Sequence, residues 1–324
     1  MTTKTKPTIE AGSSVQIESS PGRTDSPLST ERLTHAAIRD LIVPIEGYDD
    51  LKCKLLVGEL ERYRASLEWI QPRRHGSLLD MGSRGDLVPV YLGKLGFTRT
   101  CCLDERNATR WQRLVHRDGP SFSFESYRIQ LERTPFPFVD ETFDQAVAME
   151  VLEHLAVDPM FMVAEANRVL KLGGSLLITT PNITSLSCLY HLLWSRHPSL
   201  GRQTFGPGIM DRHHREYTPR EVVDLVEAAG FTVEKIDTFD SVPPGRSIRH
   251  ARTLLKMLNL IRPGIDLNYR NHVIRCACVK TGPVVERFPE SLYPRYPYYD
   301  YAAYDRELTD RFGGRRYWRT DVAR

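Results

Sequence analysis

The sequence predicts an α/β fold, with a mostly parallel β-sheet and helices on both of its faces. Across residues 76–282, short apolar segments alternate with segments whose apolar residues recur at helical spacing. Alternation of this kind favours parallel strands joined by crossover helices. The first apolar segment also runs directly into a turn that contains Gly82 and Gly85. A turn of this type is typical of sheets that bind a ligand at the end of the first strand.

The composition excludes several classes of protein. The 324 residues include 44 Lys and Arg against 41 Asp and Glu, so the formal net charge is only +3 and a nucleic-acid partner is not expected. No apolar run approaches the ~18 residues of a membrane span, and the amino terminus lacks the pattern of a secretory signal. The six cysteines form no C-x-x-C pair and predict reduced thiols. We therefore expect a cytoplasmic protein without a membrane span.

The amino-terminal part divides into a tail and a helical cap. Residues 1–29 are rich in Thr, Ser, Pro, Gly and Lys, and we expect them to be disordered. Residues 30–75 should form helices, one of them over residues 49–70. The apolar residues of that helix recur at helical spacing: Leu51, Leu55, Leu56, Leu60 and Tyr63. These helices would cap the domain and could cover its ligand.

The domain itself, residues 76–282, is predicted to contain seven strands. The strands are residues 77–80, 98–104, 122–129, 145–149, 175–180, 231–238 and 272–280. The helices between them are residues 87–95, a helix through Trp111 and Leu114, residues 159–170 and residues 219–229.

Three further segments depart from this alternation. Residues 183–214 are aromatic and basic and too long for a simple connection, which makes them a candidate substrate lid. Residues 243–271 form a second insertion, with a helix around residues 254–261. Residues 283–324, rich in Tyr, Pro and Arg, should wrap the surface of the domain rather than form a core of their own.

The candidate cofactor site lies at the ends of the first two strands. In an open α/β sheet, ligands bind beyond the carboxyl ends of the strands, where the strand order reverses. In the first turn, Gly82 lets backbone approach a ligand closely and Asp80 organises the turn. Asp104 ends the second strand, and a carboxylate there can accept hydrogen bonds from both hydroxyls of a ribose. For either aspartate alone, the alternative is a helix N-cap.

Five sequence blocks between Leu78 and Asn182 resemble one family. They are Pro135-Phe136-Pro137-Phe138, Phe143-Asp144, Glu150-Val151-Leu152-Glu153-His154-Leu155, Arg168-Val169-Leu170-Lys171-Leu172-Gly173-Gly174 and Thr180-Pro181-Asn182. In this order they resemble the class I S-adenosylmethionine-dependent methyltransferases, in the branch that includes the ubiquinone-biosynthesis type and its sugar-modifying relatives. The resemblance implies a Rossmann-like, seven-stranded methyltransferase sheet, mostly parallel with the last strand antiparallel. It also implies S-adenosylmethionine as cofactor.

The resemblance assigns the cofactor contacts as well. Asp80, Gly82 and the turn Ser83-Arg84-Gly85 would face the methionine part of the cofactor, and Asp104 would hold the ribose.

Two positions depart from the family pattern. Arg84 stands where a second glycine is usual, so a long side chain must fit where backbone normally lies close to the ligand. Gln130, followed by Leu131, stands where an aspartate usually contacts the adenine amino group. The amide oxygen of Gln130 can still accept that hydrogen bond, so Gln130 and Leu131 are kept as adenine contacts.

A nicotinamide-dependent dehydrogenase is the competing interpretation of the glycine turn. The dinucleotide fingerprint G-x-G-x-x-G has three glycines, whereas this turn offers only Gly82 and Gly85. The methyltransferase interpretation fits better.

The acceptor site is expected just after the fourth strand. Methyl transfer from a sulfonium is an in-line displacement, so a hydroxyl acceptor must be aligned and must lose a proton. Glu150, Glu153 and His154 open the next turn at a spacing that brings them to one face, and residues 211–218 bring His213 and His214 to the same rim. Glu153, His154 and His213 are the catalytic candidates.

The same residues suggest a metal site. The spacing E-x-x-E-H followed by H-x-x-E-aromatic-T, which ends at Thr218, resembles the metal site of small-RNA 2′-O-methyltransferases. That resemblance implies a divalent ion held by Glu150, Glu153, His154 and His213, which would lower the pKa of an acceptor hydroxyl. The alternative is that Glu153 and His154 cap, pair or act as a base without metal.

The preferred function is O-methylation of a hydroxyl on a glycan, glycolipid or small metabolite. Residues 206–218 resemble bacterial methyltransferases associated with surface-glycan synthesis. Aromatic residues of the predicted lid could stack on a sugar ring or a base, or could simply pack. They are Tyr190, His191, Trp194, His197 and Phe205.

Two other functions stay open. One is an RNA 2′-O-methyltransferase. The other is a non-catalytic interaction protein in which Arg84 blocks the cofactor and the arginines of the carboxyl tail recruit a partner. Those arginines are Arg311, Arg315, Arg316 and Arg319.

Overall fold

The strands of the central sheet come from most of the chain length. The structure is a computed structural model that describes residues 33–71, 76–105, 109–198, 212–241, 245–261, 269–293, 300, 302–304 and 306–307. The strands are β1 (Ser77–Met81), β2 (Arg99–Asp104), β3 (Trp111–Val115), β4 (Ser121–Arg128), β5 (Phe143–Met149), β6 (Leu170–Pro181), β7 (Phe231–Phe239) and β8 (Val273–Lys280).

The sheet has the order β3-β4-β2-β1-β5-β6-β8-β7. Strands β4, β2, β1, β5 and β6 are parallel to their neighbours in this run, and β8 is antiparallel to both β6 and β7. The predicted α/β class, the mostly parallel sheet and the antiparallel last strand are confirmed.

The strand count differs from the prediction because of β3. Residues 111–115, expected to be helical, instead form an edge strand antiparallel to β4, which gives eight strands rather than seven. The pair closes through a short turn, and Val115 pairs with Ser121. Five residues are too few for a stable helix, whereas strand pairing satisfies the outer edge of β4.

Helices cover both faces of the sheet. They are α1 (His35–Ile42), α2 (Asp50–Gly58), α3 (Leu60–Leu67), α4 (Val88–Gly93), α5 (Pro159–Val169), α6 (Leu186–Leu193), α7 (Pro219–Ala228) and α8 (Arg246–Ile261). Helices α1–α4 pack on the face that buries Leu78, and α5 and α7 pack on the face that buries Leu79. Neighbouring strand residues thus point to opposite faces, as the pleat requires.

Side-chain caps fix where several helices begin. The side chains of Thr34, Asp49, Asp158, Ser185 and Thr218 each accept a hydrogen bond from a backbone amide in the first turn of the helix that follows. At α7 the cap is reciprocal, because Glu221 also accepts from the amide of Thr218. Thr218, which ended the metal-like spacing in the sequence, therefore has a structural role as a cap.

The amino-terminal cap differs in detail from its prediction. The helix expected over residues 49–70 is broken at Glu59 into α2 and α3. Leu56 is buried, but Leu51 and Leu55 are exposed, so the apolar residues do not form one buried stripe.

The described part of the carboxyl tail contributes apolar side chains to the core. Val284 and Leu292 are buried in the core on the side of α5 and α7. The predicted disordered segment, residues 1–29, lies outside the described residues, as do Phe205 and the tail arginines Arg311, Arg315, Arg316 and Arg319. The six cysteines are free thiols. Among the described residues, no helix has the length and apolar character needed to cross a bilayer.

Candidate functional site

A cavity of about 360 Å³ lies at the carboxyl ends of β1 and β5. The chain adds β2 on one side of β1 and β5 on the other, so the strand order reverses at this point and leaves a crevice there. The lining residues are Lys52, Arg62, Tyr63, Asp80, Met81, Gly82, Ser83, Arg84, Asp86, Leu87, Met149, Glu150 and His154. One cavity thus joins the glycine turn to two of the residues predicted at the acceptor site.

The glycine turn is held open by two residues with left-handed backbone. Gly82 has φ of +76° and Gly85 has φ of +89°. A Cβ at Gly82 would lie 2.6 Å from a methyl group of Val151, and one at Gly85 would collide with the ring of Phe124. The Gly82 amide donates to the carbonyl oxygen of Leu103 at 2.7 Å, which ties the turn to β2. Side chains are therefore excluded at both positions.

Asp80 presents a buried carboxylate to this cavity. It is 2% exposed, and burial raises its pKa to about 7. The hydroxyls of Ser83 and Tyr91 lie near this carboxyl group and oppose the rise in its pKa, but its Oδ2 atom makes no hydrogen bond of normal geometry to a described residue. An orphaned buried oxygen is unusual in a folded protein, so this atom fits a donor group supplied by a ligand.

Arg84 and Asp104 lie next to each other at the same end of the sheet. Arg84 Nε is 3.5 Å from Oδ2 of Asp104, and the Arg84 side chain is half exposed while Asp104 is nearly buried. Since Arg84 also lines the cavity, its guanidinium group extends from the glycine turn to the predicted ribose position.

The two predicted adenine contacts lie at the end of β4, outside the lining of the cavity. Gln130 is exposed, and its carbonyl oxygen accepts hydrogen bonds from the amides of Arg133 and Thr134. The neighbouring amide of Ile129 donates to the carbonyl oxygen of Asp104 at 3.2 Å. Leu131 is buried in the core. The backbone that precedes Gln130 therefore meets the backbone of Asp104.

Glu150 occupies a strained position directly after β5. Its φ is +56°, in the left-handed region that a residue with a Cβ rarely adopts. Thr179 Oγ1 donates to Oε1 of Glu150 at 3.0 Å, and Arg62 Nη1 lies 3.8 Å from Oε2. Burial raises the pKa of Glu150, and the charge of Arg62 opposes that shift. Strain of about 1–3 kcal/mol is commonly found at functional sites.

Glu153, His154 and His213 bring three possible metal-ligand atoms together near the cavity. One possible metal-ligand atom from each lies within 4.8 Å of the others. Oε2 of Glu153 accepts a hydrogen bond from Thr180 Oγ1 at 2.9 Å, whereas Oε1 lies 3.9 Å from Nε2 of His154 and has no hydrogen bond within the described chain. Burial, followed by the charge of Glu150, raises the pKa of Glu153 well above its usual value.

Both histidines are oriented through Nδ1. In His154 this atom lies 3.2 Å from the carbonyl oxygen of Arg212, and in His213 it lies 3.1 Å from Oε1 of Glu216. The rings meet edge to face, with centroids 5.0 Å apart. Partners of this kind on one ring nitrogen direct the other nitrogen towards a ligand. His214 is exposed and joins the group only through its amide, which donates to the carbonyl oxygen of Glu153 at 2.7 Å.

The sequence-based interpretation missed several residues of the site. Lys52, Arg62 and Tyr63 enter the cavity from the amino-terminal cap, and Asp86 holds the cap through Lys52 Nζ and Tyr48 Oη, each at 2.7 Å. Helical spacing indicated Tyr63 as an apolar position only, and Lys52 and Arg62 carried no signal. Glu216 could have been found from the sequence, because it stands three residues after the candidate ligand His213.

Comparison with known proteins relates the chain to methyltransferases. A family model described as a methyltransferase domain matches residues 57–236. The ubiquinone biosynthesis O-methyltransferase of Bos taurus mitochondria is 27% identical over 199 residues, which are 60% of this chain and 51% of that protein. A protein of Mycolicibacterium smegmatis is 35% identical over 102 residues, 30% of this chain and 32% of its own length. The chain thus spans about half or less of the curated relatives that it matches.

Solved structures resemble the same domain. A crystal structure of an S-adenosylmethionine-dependent methyltransferase from Mesorhizobium loti aligns with a TM-score of 0.42 and 16% identity, over 68% of this chain and 97% of that one. The family model covers more than half of the 324 residues. The resemblance noted in the sequence is confirmed, and the chain belongs to the methyltransferase-domain family.

Proposed function

We propose that the protein transfers a methyl group from S-adenosylmethionine to a hydroxyl group of a glycan, glycolipid or small metabolite. One observation carries the proposal: a single cavity joins the glycine turn after β1 to Glu150 and His154 after β5. When bound, S-adenosylmethionine supplies an electrophilic methyl group on a sulfonium. The family match and the O-methyltransferase named among the relatives support this reaction class.

The cofactor would be held by residues from three strand ends. Asp80, Gly82, Ser83 and Gly85 would contact its methionine part, since Asp80 has an orphaned oxygen and the glycines leave the backbone accessible. Asp104 would accept hydrogen bonds from the ribose hydroxyls. Gln130 and Leu131 would border the adenine.

Arg84 would act as a binding residue rather than an obstacle. Its Nε atom lies 3.5 Å from Oδ2 of Asp104, and its charge suits the methionine carboxylate. This position favours catalysis over the interaction-module alternative.

His154 is the proposed acceptor of the hydroxyl proton. With Nδ1 directed at the carbonyl oxygen of Arg212, the ring is expected to carry its proton on Nδ1, so Nε2 can accept a proton. Glu153, with Oε1 3.9 Å from Nε2, would stabilise the charge that the ring gains. Glu150 and Arg62, which also line the cavity, would orient the acceptor.

A divalent ion held by Glu153, His154 and His213 is the alternative to a histidine base, because it would occupy the same Nε2 atom of His154. Carboxylate and imidazole ligands suit several divalent metals, and Glu216 would orient His213 as a carboxylate commonly orients a metal-binding histidine. Such an ion would lower the pKa of the acceptor hydroxyl. Glu150, the fourth residue that the sequence suggested, is engaged by Thr179 and Arg62, so three protein ligands are proposed.

Residues 183–214 remain the proposed substrate lid, and α6 is the helix of this segment that the structure describes. The cytoplasm remains the proposed compartment. Small-molecule or glycan acceptors would enter beside this segment.

Calorimetry with S-adenosylmethionine and its demethylated product tests the proposal. The Gly82→Ala variant should lose binding, because the added methyl group collides with Val151 at the turn that holds the cofactor. Gly173→Ala is the matched control, since Gly173 has a similar φ of +74° but open space around it and lies outside the cavity. Absence of binding by the wild-type protein would favour the interaction-module alternative.

A further inference from the structure

Two neighbouring helices, α6 and α8, carry large apolar side chains that remain exposed. Leu193, Leu260 and Ile261 are 83%, 87% and 81% exposed. The helices pack against each other at the carboxyl end of β6. We call the exposed apolar residues of this pair the α6–α8 surface: Leu192, Leu193, Trp194, Met257, Leu258, Leu260 and Ile261.

These residues are clustered rather than scattered. They account for seven of the 15 large apolar side chains that are exposed in the described part of the chain. On α8, Met257, Leu258 and Ile261 share one helical face by their spacing. Single exposed apolar residues are ordinary, but these seven are carried by two helices that pack together or by the residue that follows α6. A concentration of this kind points to an interaction site.

The charged side chains carried by the two helices and by the residues that directly follow α6 are basic. Residues 186–198 and the whole of α8 contain no Asp or Glu. Arg249, Arg252 and Lys256 recur at a spacing of three and four on α8, and Arg196 follows α6. Arg252 is 3.4 Å from Asp240, whereas Arg196, Arg249 and Lys256 are exposed. Since the complete chain is nearly balanced in charge, this is a local excess of positive charge.

Exposed apolar side chains bordered by cations match one kind of partner. On an anionic bilayer, apolar residues enter the boundary between headgroups and acyl chains, while Lys and Arg meet the lipid phosphates. Trp194 has the amphipathic ring that is enriched at this depth. With 16 residues and four Lys or Arg, α8 is too short and too charged to span the bilayer but suits a position along its surface.

We propose that the α6–α8 surface docks the protein onto an anionic phospholipid membrane. The proposal does not depend on the identity of the methyl acceptor. It adds a location for the reaction, because α6 belongs to the segment that follows β6 at the edge of the candidate site.

Vesicle flotation with the full chain tests the proposal. The protein should float with vesicles that contain phosphatidylglycerol and should bind more weakly to pure phosphatidylcholine and at high salt. Arg249→Glu/Lys256→Glu should weaken binding to the anionic vesicles by more than about fivefold for each residue changed, because one Lys or Arg near such a surface contributes about that factor.

The apolar part of the surface has its own variant and control. Leu260→Glu/Ile261→Glu should reduce binding by more than about tenfold, because two apolar side chains no longer enter the bilayer. The matched control is Leu172→Glu/Val285→Glu, which changes two exposed apolar residues elsewhere and should bind like the wild type.

Several results would overturn the proposal. The first is that the wild type does not bind anionic vesicles. The second is that Leu260→Glu/Ile261→Glu binds them as well as the wild type does. The third is that the wild type binds no vesicles but sediments as a dimer, which Leu260→Glu/Ile261→Glu converts to monomers. The last result would identify a second copy of the chain as the partner. Cofactor binding by calorimetry should be unchanged in all these variants, so failure here is separable from failure of the proposed function.

Discussion

Arg84 Nε lies 3.5 Å from Oδ2 of Asp104, which joins the glycine turn after β1 to the carboxyl end of β2. An ion pair with a half-exposed arginine contributes little to stability, about 0–1 kcal/mol. The pair therefore has more consequence for ligand binding than for folding. In the proposed function, Asp104 would bind the ribose, and the guanidinium group of Arg84 would then be available to the carboxylate of the methionine part.

Replacement of Asp104 by alanine should weaken S-adenosylmethionine binding by more than tenfold. Hydrogen bonds to a charged group contribute about 1.5–3 kcal/mol, and this carboxylate is expected to accept from the ribose hydroxyls. Calorimetry on the folded variant measures the effect. Unchanged affinity would remove Asp104 from the cofactor site.

Replacement of Arg84 by alanine should weaken S-adenosylmethionine binding by about tenfold, because a charge-assisted hydrogen bond to the methionine carboxylate is lost. Binding of 5′-methylthioadenosine, which lacks that carboxylate, should not change. Arg128→Ala is the control, since Arg128 is exposed on the neighbouring β4 and donates to the carbonyl oxygen of Glu105. Equal weakening for both ligands would contradict a contact with the carboxylate.

Part of the candidate site could be predicted from the sequence, because one local rule is enough to identify it. Asp80 and Asp104 end buried parallel strands, so the rule that ligands bind at carboxyl ends brings them together without any knowledge of packing. The contacts of Arg62 and Tyr63 depend on how the cap docks on the sheet, and Glu216 acquires its role only beside His213. Helical spacing within a cap does not specify which residues reach a distant cavity.

The error at residues 111–115 has a different origin. Trp111 and Leu114 are three residues apart, which suits a helix, but the segment is short and an unpaired edge of β4 lies beside it. Tertiary pairing decided the structure there, as often happens with short apolar segments.

Asp80 should make stability depend on pH. Its pKa is raised to about 7 by burial, so the folded state holds a proton that the unfolded state, with an ordinary aspartate pKa, loses near pH 4. Asp80 therefore contributes stability at low pH that is lost as the pH rises towards 7. Between pH 5 and 8, the unfolding free energy of the wild type should fall by roughly 2 kcal/mol relative to Asp80→Asn. Urea titrations without cofactor measure this difference, and the exposed control Asp118→Asn should show none.

Replacement of Arg287 should destabilise the protein, because Arg287 joins the carboxyl segment to the start of α5. Arg287 Nη1 donates to Oδ1 of Asp158 at 3.1 Å, both side chains are nearly fully buried, and Tyr293 Oη donates to the same oxygen at 2.7 Å. Arg287→Met would leave the carboxylate buried without its charge partner, which costs about 3 kcal/mol of unfolding free energy. The control is Arg306→Met, whose pair with Asp300 is exposed and should contribute under about 0.5 kcal/mol. A loss below about 1 kcal/mol in urea titrations for Arg287→Met would contradict the assigned role.

Removal of metal should separate binding from chemistry. If an ion held by Glu153, His154 and His213 activates the acceptor, chelation should abolish methyl transfer and leave S-adenosylmethionine affinity nearly intact, because the methionine and ribose contacts need no metal. His213→Ala should reproduce the effect of chelation, whereas His214→Ala should not, because His214 joins the group only through its amide. If His154 acts alone as a base, chelation should change nothing, and activity should fall as the pH is lowered, because a protonated histidine cannot accept the hydroxyl proton. Full activity in chelator with metal-free protein by elemental analysis would therefore leave His154 as the base.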